Sequence, residues 1–207
     1  RADNKNVNNS GTVRIYGAGT AISAENGNIV NNSGGGITMV ISGAADSYGI
    51  YLAGRGSNTL TNNATVKVNR SSAYAEGKKA VALYAENGSI NNSGALEVGA
   101  KDAVINGGIG IETDGGNVTN GGTITVYGNG SVLNGQNGNV TNNEKGQLNI
   151  YTDGKASAYG IYLAGSTGNT ITNKASIFIN RYGAYAQAAS TGNYGIWTDN
   201  AKIVNSG

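Results

Sequence analysis

The triplet apolar–x–Asn recurs eight times along the chain, as Val7–Asn9, Ile29–Asn31, Leu60–Asn62, Ile90–Asn92, Val118–Asn120, Val140–Asn142, Ile171–Asn173 and Ile203–Asn205. Successive asparagines are 22, 31, 30, 28, 22, 31 and 32 residues apart. That is the spacing of a solenoid in which each turn is one structural repeat. Asn9 and Asn120 are separated by 111 residues, and at Asn120 the series starts again with 22 and 31. At the same offset Gly11–Thr12 matches Gly122–Thr123, Tyr16–Gly17 matches Tyr127–Gly128, and Tyr48–Gly54 matches Tyr159–Gly165. The chain therefore reads as one segment, 1–207, built on a four-turn super-repeat of 111 residues, 9–119 and then 120–207. It starts and stops within the repeat pattern, and solenoids need capping turns. The expectation is a piece of a longer protein.

Each repeat has the same internal order. After the asparagine come two apolar residues one position apart. The first set is Val13, Ile37, Val66, Leu96, Ile124, Leu148 and Ile177, and the second is Ile15, Met39, Val68, Val98, Val126, Ile150 and Ile179. A loop of variable length follows, then a third short run carrying Ile22, Ile50, Leu83, Ile111, Leu133, Ile161 and Ile196. Period-two alternation turns one side of a strand inward and the other outward. One such set of strands cannot bury its apolar face alone, but coiled turns about 4.8 Å apart stack each residue on its equivalents. The pattern specifies an all-β chain, a right-handed parallel β-helix (solenoid) of about seven rungs. It has three short strands per rung and three inward ladders. At that rise it is about 30 Å long. The triplet asparagines fall at bends, where Asn tolerates left-handed backbone and can bond neighbouring chain or its own copies along the axis. Asn26–Gly27, Asn87–Gly88 and Asn137–Gly138 mark a second corner.

Composition limits the chemistry. The 35 glycines alternate with β-branched runs such as TVRIYG and SIFIN, which can bury apolar surface, so they do not signal disorder. A net charge of +2 gives little support to a general nucleic-acid or acidic-membrane role. No stretch reads as a transmembrane helix, and the residues RADNKNVNN do not read as a signal peptide. With no Cys the fold uses no disulfide, and such a chain suits passage through a narrow pore unfolded. With neither His nor Cys, a Ser–His–Asp triad, a cysteine nucleophile and a histidine-held metal are all excluded.

The stretches VNNSGTVRIYG, VTNGGTITVYG and IVNSG resemble the Asn-x-Gly-Thr-Ile rungs of passenger domains in large monomeric type V autotransporter adhesins. The Asn- and Lys-rich, Pro-free character most resembles the fusobacterial RadD-like group. The resemblance covers the whole chain. It implies export to the bacterial cell surface, or secretion, and a C-terminal outer-membrane barrel outside this segment. It also implies adhesion to a host-cell or bacterial surface protein or glycan. The residues themselves point to a monomer without cofactor and to no enzyme, since an enzyme would need an acidic cleft crossing several rungs with Arg or Lys opposite, and only scattered candidates occur. No ligand residues transfer, because no binding motif is matched. Two alternatives use similar rungs: a two-partner-secreted exoprotein of the filamentous haemagglutinin type, and a β-helical polysaccharide-degrading enzyme working through carboxylates.

Candidate site residues follow from register. The residue after the third apolar position should point outward, giving the column Ser23, Tyr51, Tyr84, Glu112, Asn134, Tyr162 and Trp197. Tyr51 with Tyr84, and Tyr162 with Trp197, would form stacked aromatic pairs, a platform for sugar or protein. The plainer reading is that aromatics suit strands, stack for stability, or lie under a neighbouring loop. The longest loops, Asn69–Lys79 and Asn180–Gly195, would vary specificity on a rigid frame, and the second adds Tyr182, Tyr185 and Tyr194. Two positions further on lies an acidic column in which Glu86 and Asp114 occupy adjacent turns. Such a pair could share a proton or hold Ca²⁺; on an exposed corner the two acids would merely solvate the surface.

Overall fold

The computed structural model describes residues 1–54, 57–74, 78–165, 167–181 and 191–207. Strands from successive turns pair in parallel into three sheets of eight, eight and seven strands. One turn is Val118–Asn120, then Thr123–Tyr127, then Gly130–Gln136. These strands belong to what we call the asparagine, aliphatic and aromatic sheets. The chain is a β-solenoid with three strands per rung, as the repeat requires.

All three expected ladders are in register. Val13 through Ile177 and Ile15 through Ile179 align along the aliphatic sheet. Ile22 through Ile196 align along the aromatic sheet. Two further inward columns add to the core. One is the apolar residue of each triplet, from Ile29 to Ile171 at no more than 1% exposure. The other includes Ala24, Leu52, Ala85, Thr113 and Leu163. Burying one Ile or Leu contributes about 1.5–3 kcal/mol, so a single turn is far from offsetting its own ordering entropy. Stability must come from the stack.

The triplet asparagines form one continuous ladder. Nδ2 of Asn9, Asn31, Asn62, Asn92, Asn120, Asn142 and Asn173 each donates to Oδ1 of the next asparagine, at 2.7–2.9 Å. Asn120 is wholly buried and uses its full bonding capacity. Its amide also donates to Gly122 O at 2.9 Å, and its oxygen also accepts the Gly122 N–H at 3.3 Å. The expected bonding along the axis is present, but the expected left-handed backbone is not at this corner. Among the described non-glycine residues, positive φ occurs at Asn4, Asn26, Asn87 and Asn137. These belong to the second corner, where the chain turns from the aromatic to the asparagine sheet. The ladder asparagines instead end strands, and bonding rather than backbone freedom selects them.

One loop expectation is corrected. Asn69 to Tyr74 is not loop: the aliphatic-sheet strand runs Val66–Tyr74, and Tyr74 pairs with Gly43 across a register shift.

Candidate functional site: the aromatic face

The aromatic sheet breaks strict alternation. In the strand Ser47–Ala53, Tyr48 and Tyr51 both point outward, while Gly49 and Ile50 between them both turn inward. A Cβ on Gly49 would lie 2.6 Å from Val66 Cγ1 in the aliphatic sheet. Gly110 and Gly160 face Ile124 and Ile177 in the same way. One turn on, Ala82 and Leu83 join the main core, while Val81 and Tyr84 pack outside it. The bend creates two outward columns. The expected one runs Ser23, Tyr51, Tyr84, Glu112, Asn134, Tyr162, Trp197. The other, which strict alternation hides, runs Thr20, Tyr48, Val81, Ile109, Ser131, Tyr159, Tyr194.

The first aromatic cluster is largely closed. Tyr51 stacks on Tyr84 at 5.0 Å, and Tyr48 meets Tyr51 edge-on at 5.1 Å. With Val81 and Ile109 these rings form a small second core outside the solenoid. Tyr84 is 7% exposed, so it offers no open platform. Its hydroxyl donates to Asp114 at 2.5 Å, and the Tyr51 hydroxyl donates to Glu86 at 2.5 Å. Burial first, and then these carboxylate acceptors, push both phenols well above the ordinary tyrosine range. Glu86 and Asp114 are thus each engaged by a tyrosine of the turn before. Among the described residues no group of three or more acidic, His or Cys side chains could hold a metal.

The second cluster is more open and larger than expected. Tyr162 and Trp197 stack at 4.5 Å with ring planes 3° apart, and Tyr159 stacks on Tyr194 at 5.2 Å and 10°. Tyr159 meets Tyr162 edge-on at 5.1 Å, joining the pairs into a quartet. Tyr194 is 40% exposed. It belongs to the strand Asn193–Thr198 rather than to a loop. Tyr182 and Tyr185 lie outside the described residues.

Between the clusters sits a buried acid that the sequence did not single out beyond its place in the column. Glu112 is 4% exposed. Lys79 Nζ lies 2.9 Å from its Oε1, and 5.8 Å from the Tyr84 ring centre. Glu112 Oε2 and Asn134 Oδ1 are buried without a hydrogen-bond partner among the described residues. Burial raises the Glu112 pKa, and Lys79 only partly opposes it. For Lys79 burial pulls downward, but the Glu112 carboxylate outweighs it and the net shift is up. Both shifts mean that the folded chain holds protons more tightly than the unfolded one, so this pair contributes less stability as pH rises. For Glu112 the loss begins in the ordinary carboxylate range and ends above it. Glu112→Gln is expected to raise the melting temperature at pH 7 and to flatten its fall between weakly acidic and neutral pH. Lys79→Met should cost about 1 kcal/mol at neutral pH, below the usual value for a charged bond because about half of that side chain is in water. Thermal melts of both variants at pH 5 and pH 8 check the pair of signs.

Compared with protein families, curated proteins and solved structures, the chain matches none.

Proposed function

We propose that this chain is a segment of an exported, cell-surface passenger domain, a rigid stalk that carries an adhesive face. The observation that carries the reading is the contiguous quartet Tyr159, Tyr162, Tyr194 and Trp197, held on paired strands and partly open to solvent. Rigid aromatic rings give large contact area at small entropic cost, and such rings dominate binding surfaces. The bonded asparagine spine supplies the stiffness a stalk needs. The resemblance of the rungs to autotransporter passenger sequences supports placement at the bacterial surface. The partner is a surface protein or glycan of a host or neighbouring bacterial cell.

The test is binding of the purified chain to host cells and a glycan panel, beside a Tyr162→Ala/Trp197→Ala double variant shown by circular dichroism to keep its β-structure. Loss of roughly tenfold or more in affinity is expected for removal of two central aromatic anchors. Unchanged binding by the folded variant would remove the quartet from the adhesive role. No binding by the unaltered chain would leave a stalk alone.

A further inference from the structure

Three side chains from successive turns in the middle of the aromatic face meet at one oxygen. Lys79 precedes the strand Ala80–Ala85, Glu112 lies in Gly108–Thr113 and Asn134 lies in Gly130–Gln136. Glu112 Oε1 accepts a hydrogen bond from Lys79 Nζ at 2.9 Å and another from Asn134 Nδ2 at 3.4 Å. An amine, a primary amide and a carboxyl group are thus gathered at an acid that is 4% exposed. The ion pair accounts for Lys79 and Oε1 but not for the rest. Glu112 Oε2 and Asn134 Oδ1 are both sealed from water, and neither has a donor among the described residues. A carboxylate leaves these two acceptors facing a missing proton, whereas a neutral carboxylic acid carries one.

We propose that this cluster is a self-processing site, at which Lys79 and Asn134 join through an isopeptide bond with Glu112 as proton carrier. Glu112 takes a proton from the Lys79 ammonium along their hydrogen bond, which leaves a neutral amine beside a neutral acid. The amine lone pair attacks Asn134 Cγ, and the Cγ–Nζ bond forms. While Glu112 holds the first proton, its hydroxyl is the donor that Asn134 Oδ1 lacks, and it stabilises the charge developing there. Both protons lost by Nζ pass through Glu112 to Nδ2. The Cγ–Nδ2 bond breaks, and ammonium leaves with the carboxylate restored. No oxidant or outside reagent is consumed. Burial favours the neutral form of each group, and it pushes Glu112 up accordingly. For Lys79 burial acts downward, but the bond to Glu112 outweighs it. The neutral pair is therefore the minor form and the step is slow. A reaction needed once per chain tolerates that, because fixed neighbours react as if at effective concentrations of about 10⁵–10⁸ M. The product ties three successive turns together in a chain that has no cysteine. The site does not rest on the adhesive reading of the Tyr159–Trp197 quartet.

The experiment is mass spectrometry of the purified folded chain, intact and after proteolysis. The intact mass should be one ammonia short of that of the sequence, and digestion should release a branched peptide joining Lys79 to Asn134. Asn134 precedes Gly135, and a succinimide at that pair would also lose ammonia, but it needs no lysine and gives no branched peptide. Lys79→Arg, and Asn134→Ser with the residue found one super-repeat earlier at Ser23, should give no branched peptide. Glu112→Gln keeps shape but cannot carry the proton, so linkage should slow by about a hundredfold or more. The melting expectations above for Glu112→Gln and Lys79→Met compare unlinked chains. Against the linked parent Glu112→Gln should melt lower, because a covalent closure restricts the unfolded chain. A folded parent of full mass, ammonia loss without the branched peptide, or a branched peptide formed as fast in folded Glu112→Gln would each overturn the proposal and leave the cluster an ion pair.

Discussion

Asn120→Ala should unfold the middle of the solenoid more readily than any outward substitution, by about 3 kcal/mol or more. The change removes four hydrogen bonds at once, to Asn92, Asn142 and both main-chain groups of Gly122. What remains is a set of donors and acceptors sealed from water, each costing about 1–3 kcal/mol when orphaned. Asn120→Asp separates bonding from volume. The carboxylate keeps the acceptor but sets a second oxygen against Gly122 O and Asn142 Oδ1. As a buried charge with no cation it takes a raised folded-state pKa. Its stability should therefore rise as pH falls through that value, because the protonated acid regains one donor. At neutral pH the Asp variant should melt below the Ala variant, and in acid the order should close or reverse. Melting curves of the two variants from pH 4 to pH 8 decide this. Parallel curves would mean that the ladder is only a space-filler.

The second large effect is expected at Gly116. A Cβ there would fall inside contact of the Gly88 carbonyl on the preceding turn, and one on Gly138 would meet the Gly116 carbonyl in the same way. Main chain cannot swing aside as a side-chain tip can. Overpacking of this kind costs about 1–3 kcal/mol, and more where backbone must move. Gly116 is not among the glycines at positive φ, so the penalty of Gly116→Ala is purely one of space. Gly168 gives the contrast. It has φ +100 and nothing within 4 Å of a Cβ, so Gly168→Ala is strained by conformation alone. Chemical denaturation of both variants is expected to show the larger loss for Gly116→Ala. Equal losses would mean that the corner can spread to admit a methyl group.

The stacking of this fold was legible because each turn repeats three spacings that only parallel register satisfies. Val66 could be placed on Leu96, and Leu83 on Ile111, from the asparagine count alone. Three features were not legible. Tyr48 and Tyr159 escaped because period two breaks at Gly49 and Gly160. A glycine before the third apolar residue was the available signal, since two consecutive inward positions need a small first member. Tyr74 and Tyr194 were misplaced in loops because loop length there hides where pairing resumes. The closed and open aromatic clusters could not be told apart either. The difference depends on neighbours such as Val81, Ile109 and Lys79, whose spatial adjacency no single-turn pattern encodes.

The asparagine ladder has a direction. Every link donates toward the following turn, from Asn9 to Asn31 and on to Asn205. Main-chain bonds between turns run both ways: Val7 N–H reaches Asn28 O, while Asn32 N–H returns to Asn9 O. Their dipoles largely cancel, as in sheets generally. The side-chain amides do not cancel. Their positive ends all face the C-terminal turns, the opposite sense to an α-helix, whose N-terminus is the positive end. Rotating one amide by half a turn would set donor against donor on one side and acceptor against acceptor on the other. The orientation is therefore held in common, and each amide polarises the next. The polypeptide thus encloses a one-way electrical spine, shielded from water by its own core.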